Sequence, residues 1–151
     1  MLKCSNINYT KVIRHIQQYP LTPEYSYSLV CLLLEMLDAF DESNESRNDI
    51  LDGAINLSEW LKDFDKNTSK DLLDINYYQS LKRRRTLASN EIQALHSIIE
   101  GKPTRSDIYV GAYILLDDYQ SAQKHFNELT SEEQEKFCNY PIYHLWNKAQ
   151  P

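Results

Sequence analysis

The sequence predicts an all-α protein of eight or nine helices, packed as antiparallel hairpins in a compact bundle or a short repeat-like array. Three observations carry this. Apolar residues recur at spacings of three and four in segment after segment, and no stretch alternates with period two long enough to be a strand. Only 3 Gly and 5 Pro break 151 residues, so turns are few. Leu, Ala, Glu, Lys and Gln outweigh β-branched residues, and their intrinsic preference is helical.

The elements follow in order. "NINYTKVIRHIQQY" sets Ile7, Val12, Ile13 and Ile16 at roughly helical spacing. "YPLTP" ends it, because each proline disfavours the helical region for the residue before it. A second helix is expected from about Glu24 to Phe40; it is apolar on nearly every face from Leu29 to Leu37 and reads as the central buried helix. After "DESNES", a third runs near Arg47 to Phe64 with a one-sided stripe of Ile50, Leu51, Ala54, Ile55, Leu57, Trp60 and Leu61. "DLLDINYYQSLKRRR" is the fourth, its cations at the favourable C-terminal end. "SNEIQALHSIIEG" is the fifth, with Ser89 as cap and Gly101 as stop. "SDIYVGAYILLD" and "YQSAQKHFNEL" make a hairpin. "TSEEQEKFCNY" opens on Thr130 or Ser131 with Glu133 as box partner, and "PIYHLWNKA" starts with proline in its first turn. The expected core comprises Leu29, Leu32, Leu33, Met36, Ile55, Trp60, Leu61, Ile108, Ala112, Leu116, Ala122 and Phe126. No linker or low-complexity tract interrupts the chain, so residues 1–151 read as a single helical domain.

Charge is uneven. The net charge is −6, and residues 1–75 carry all of it, with 7 Lys+Arg against 13 Asp+Glu. Residues 35–74 alone hold 12 acids and 4 bases. Such a half repels nucleic acid and suits a basic partner, which argues against general nucleic-acid binding. On the third helix the apolar stripe leaves Glu45, Asp49, Asp52, Glu59 and Asp63 to the other face. These are the candidate contacts for a protein with a basic surface; a merely solvated face is the plainer alternative. Lys82, Arg83, Arg84 and Arg85 could grip phosphates or an acidic surface, but four consecutive helical residues point in nearly all directions.

Catalytic and metal patterns are weak. "DFDKNTSKDLLD" spaces acids as a calcium loop would. However, Thr68 replaces the glycine of the sharp turn, and Asp74 is short for the bidentate ligand. His15, His96, His125 and His144 form no pair one turn apart, and no glycine-rich phosphate loop exists. No metal, cofactor or enzymatic activity is expected. Cys4, Cys31 and Cys138 are odd in number and lack metal spacing, which suits a reducing compartment. "MLKCSNINY" has no apolar signal core, and "LVCLLLEMLDAF" is short for a membrane span and holds Glu35 and Asp38. A cytoplasmic location with no membrane partner follows as the expectation.

Two resemblances add to this. In "SDIYVGAYILLDDYQSAQKHFNEL", Tyr113, Tyr119, Ala122 and Phe126 fall where a tetratricopeptide repeat places its knobs and its small residue. The stretch thus resembles one such hairpin; Val110 replaces that family's small residue, and no second copy recurs at the family's period of about 34. The run "YQSAQKHFNELTSEEQEKFCNYPIYHLW" is similar to tail segments of uncharacterised bacterial proteins, some tied to phage defence. That resemblance implies a bacterial accessory or defence-related role and assigns no catalytic residue; the acidic first half suits an antitoxin, immunity or inhibitor protein that neutralises a basic target. The alternative class is a small RNA-binding factor or helical enzyme using Lys82 to Arg85.

Overall fold

The computed structural model describes residues 8–43 and 47–149, and among them every regular element is a helix. The order is α1 (Tyr9–Ile16), α2 (Pro23–Glu42), α3 (Asn48–Phe64), α4 (Lys70–Arg84), α5 (Ser89–Glu100), α6 (Ser106–Leu115), α7 (Tyr119–Asn127), α8 (Ser131–Cys138) and α9 (Pro141–Ala149). The fold is all-α, as the periodicity predicts. The chain divides into two compact units, Met1–Arg84 and Arg85–Pro151. No helix among the described residues is long and apolar enough to cross a membrane.

The first unit is built on aliphatic side chains. Thr22 caps α2 by accepting the Tyr25 N–H at 3.2 Å, and Pro23 occupies the first turn, where its missing N–H costs nothing. Leu29, Leu33, Met36 and Leu37 of α2 then meet Ile50, Leu51, Ala54, Leu57 and Leu61 of α3, with Ile13 and Ile16 of α1 and Leu73 of α4 closing the cluster. Leu32, Ile55 and Trp60 pack at its edge, partly buried rather than central. Gly53 permits the close approach. A Cβ there would stand 2.9 Å from the Met36 methyl and 3.0 Å from Tyr9 Cβ.

Helix α4, not α2, is the more enclosed element. Eight of its 15 residues are buried, including the polar Asp74, Asn76, Gln79 and Ser80, against five of 20 in α2. Hydrophobicity misplaced the centre because half of the buried residues of α4 are polar. Gln79 donates to Asn76 Oδ1 at 3.0 Å and the Ser80 hydroxyl donates to the Asn76 carbonyl at 2.8 Å. A buried polar residue is tolerated when it has a partner.

Between α3 and α4, Asp65 ties the turn to α2. Its carboxylate accepts the Ser26 hydroxyl at 2.9 Å, the Asn67 N–H at 2.8 Å and the Thr68 hydroxyl at 2.7 Å. Burial alone would raise its pKa. The bonds from Thr68, Asn67 and Ser26 outweigh that and hold it below the usual carboxylate value. The acids spaced like a calcium loop are therefore engaged otherwise: Asp65 faces α2, and Asp74 accepts from Lys70 at 2.9 Å.

The second unit is closed by rings. Phe137 lies edge-on to Phe126, Tyr140 and Tyr143, and Trp146 to Phe126 and Tyr143, with centroids between 5.5 and 6.5 Å. Ile108, Ala112 and Ala122 are buried as expected, while Leu116 and Phe126 are half-buried. In the α6–α7 hairpin, His125 stacks on Tyr109 at 4.7 Å and Tyr113 at 5.3 Å. Thr130 and Glu133 form the expected capping box, at 3.2 and 2.8 Å.

Two boundaries differ from expectation. Ala88, not Ser89, caps α5. Alanine has no side-chain acceptor, so only the return half of a capping box forms, with Glu91 accepting the Ala88 N–H at 2.7 Å. Gly101 ends α5 in right-handed conformation, and the left-handed residue is Lys102, at φ 51°.

Candidate functional site

The spacing of acids along α3 makes a stripe. Asp49, Asp52, Asn56, Glu59 and Asp63 recur at three and four residues, so they share one side of the helix. Burying Ile50, Leu51, Ala54, Leu57 and Leu61 turns that side outward, and Asp49, Asp52, Glu59 and Asp63 are all exposed. Glu45 lies outside the described residues.

The stripe is unevenly neutralised. Arg47 grips Asp49 through Nη2 and Nε, one edge of its guanidinium, at 2.9 and 3.0 Å, and this bond holds the Asp49 carboxyl below its usual pKa. Arg84 stands 3.4 Å from Asp52. Towards the C-terminal end cations thin out: Lys62 is 3.8 Å from Asp63, and Glu59 forms no ion pair among the described residues.

That less neutralised end borders a groove of about 420 Å³ between α1 and α3. Thr10, Ile13, Arg14 and Gln17 line it from α1. From α3 come Asn56, Glu59, Trp60, Asp63 and Phe64. Phe64 is 61% exposed, unusual for so large an apolar side chain, and its ring centroid is 6.4 Å from that of Trp60. The sequence signalled the acids by their spacing. It did not signal the groove, which needs α1 beside α3, nor the exposure of Phe64, which sits at core spacing from Trp60 and Leu61.

The basic run is dispersed. Arg83 is withdrawn from solvent: its side chain is 2% exposed and makes a bidentate pair with Asp41, at 2.9 and 2.8 Å. It also donates to the Gln79 carbonyl at 2.8 Å. Arg85 pairs with Glu91 at 2.7 and 2.9 Å, which lowers the Glu91 pKa. Arg84 faces Asp52, and Lys82 is half-buried. Within α4, helical geometry sends Arg83 and Arg84 to different carboxylates, and Arg85, just past the helix end, pairs with a third. Of the histidines, His125 is held between tyrosine rings and His15 packs edge-on against Tyr19 at 5.2 Å. Comparison with protein-family models, with curated proteins and with solved structures finds no match to this chain.

Proposed function

We propose that this chain is a non-catalytic helical module that binds another protein with a basic surface, through the outer side of α3. One observation carries the reading: an exposed acidic stripe runs beside an open groove that displays an exposed phenylalanine. Carboxylates would steer a basic partner and set its register, while apolar contact would supply the residence time. An acidic face of this kind would suit an antitoxin, immunity or inhibitor protein that neutralises a basic target; the resemblance of the closing segment supports instead an accessory subunit of a bacterial defence complex. The pairing of Arg83, Arg84 and Arg85 with three carboxylates favours this reading over the RNA-binding alternative.

The test starts with a partner captured from native lysate and purified. Asp49→Lys with Asp52→Lys should lower its association rate about tenfold or more at low salt, because steering of this kind spans about 10–10³ in rate. Added salt should bring the wild-type rate down towards that of the variant. Both residues are exposed on α3, so the fold should hold, with a small drop in melting from the lost pairs with Arg47 and Arg84 and from cations near the helix N-terminus. Equal association rates at low salt would remove the acidic stripe from the interface.

A further inference from the structure

We infer that the α1–α3 groove receives an arginine side chain carried on a segment of the partner protein, an inference that rests on the protein-binding reading of α3. Glu59 and Asp63 stand one turn apart on its wall, and Trp60 and Phe64 stand one turn apart beside them. Two carboxylates and two aromatic rings thus lie within six consecutive residues. A guanidinium uses both at once: its plane stacks on a ring, while its edge N–H groups donate to carboxylate oxygens. An ammonium is a compact, strongly hydrated point charge and gains less from such a wall.

The charges favour this occupant. Glu59 forms no ion pair among the described residues, and the Lys62 ammonium lies at a long 3.8 Å from Asp63. Ile13 adds apolar lining for the methylene stem. On the α1 side Arg14 also lines the groove; its charge opposes any cation beside it, so the incoming guanidinium must lie against α3, while Arg14 offers donors of its own. The incoming segment therefore presents one arginine to α3 and carbonyl or carboxylate oxygen to α1. A uniformly polycationic strand does not fit, and neither does a nucleic acid, whose phosphates would meet Glu59 and Asp63.

Three synthetic helical peptides of one amphipathic sequence test this. They differ at a single position, which carries arginine, lysine or the neutral isostere citrulline. Amide NMR shifts of the intact chain should move at 10–17 and 56–64 on adding the arginine peptide. Lysine should bind about fivefold or more weakly and citrulline about tenfold or more, in keeping with one to two kcal/mol for a partly desolvated cation on a ring with its ion pair. Glu59→Gln with Asp63→Asn, both exposed positions, should abolish the shifts, and Phe64→Ala should weaken binding about tenfold while leaving helicity unchanged. Three results would overturn the inference: no shifts at millimolar arginine peptide, equal binding of all three peptides, or shifts unaffected by the carboxamide variants. The captured partner separates the two readings. If the groove variants bind it like wild type while Asp49→Lys with Asp52→Lys slows association, only the arginine site falls. If none of the variants changes binding, both fall.

Discussion

The two units hold themselves together by different means. In the first, side-chain hydrogen bonds join residues far apart in sequence: Ser26 to Asp65 across 39 positions, Asn67 to Leu21 across 46, Arg83 to Asp41 across 42. In the second, Gln134 donates to the Phe126 carbonyl only eight positions away, and Thr130 and Glu133 bond across three. There the distant contacts are ring on ring, and the polar groups cap their own helices. Asp41 and Asp65 of the first unit are thus tertiary ties, whereas Glu133 of the second is a local stop signal. The difference predicts where each unit breaks.

The largest effect is expected in the ring cluster. Phe137 is 2% exposed and edge-on to three other rings, so Phe137→Ala removes apolar burial and those contacts together. A loss of about 4 kcal/mol is expected. It should appear as faster amide exchange in α7, α8 and α9. A loss below about 1 kcal/mol would mean that the helix caps, not the rings, hold the second unit.

Next comes the buried ion pair of the first unit. Arg83→Met leaves the Asp41 carboxylate, itself 6% exposed, without its bidentate partner. A loss of about 3 kcal/mol is expected in denaturant melts. Arg83→Met with Asp41→Leu should recover much of it, since an apolar pair of similar size often replaces a buried ion pair without penalty. Failure of that rescue would show that bonds of Arg83 beyond Asp41, such as that to the Gln79 carbonyl, carry the stability.

A smaller effect belongs to Asp65. Its folded pKa lies below the ordinary value of 3.8, so its contribution is present above that value and fades as pH falls through the lower folded pKa. Asp65→Asn should cost about 1–2 kcal/mol at pH 7 and flatten this part of the acid limb of the stability curve. Glu91, lowered by Arg85, adds acid sensitivity of the same sign in the second unit. An unchanged acid limb in Asp65→Asn would shift that sensitivity to groups such as Glu91.

The same contrast explains what the sequence discloses. Helices are legible because their periodicity is local, and so is the box of Thr130 and Glu133, three residues apart. The stripe of Asp49, Asp52, Glu59 and Asp63 is legible for the same reason. Asp65 was not: its spacing from other acids suggests a metal loop, but its partner Ser26 lies on another helix. Arg83 likewise stands in a run of cations whose sequence cannot show that one member is buried against Asp41. The groove required the pairing of α1 with α3, and His125 required the fold of a hairpin to meet Tyr109 and Tyr113. What stays hidden is each property set by a residue's partner rather than by its neighbours in the chain.

The smallest effect tests the local character of the second unit at a turn. Gly101 precedes Lys102, yet the left-handed φ of 51° falls on the lysine. Left-handed backbone costs a residue with a Cβ about 1 kcal/mol, and glycine avoids this. Gly101 itself is right-handed, where a Cβ would lie 3.3 Å from the Ser97 carbonyl oxygen, a tight contact. The two positions thus favour different substitutions. Lys102→Gly should stabilise by up to about 1 kcal/mol, the relief of backbone strain being partly offset by the greater entropy of glycine in the unfolded chain. Gly101→Ala should bring no comparable gain. Because the relief is confined to the turn after α5, amide protection should rise in the second unit while the first keeps its wild-type exchange. A matching rise in the first unit would show that the two melt as one, and the comparison would then describe how each is built rather than how each fails.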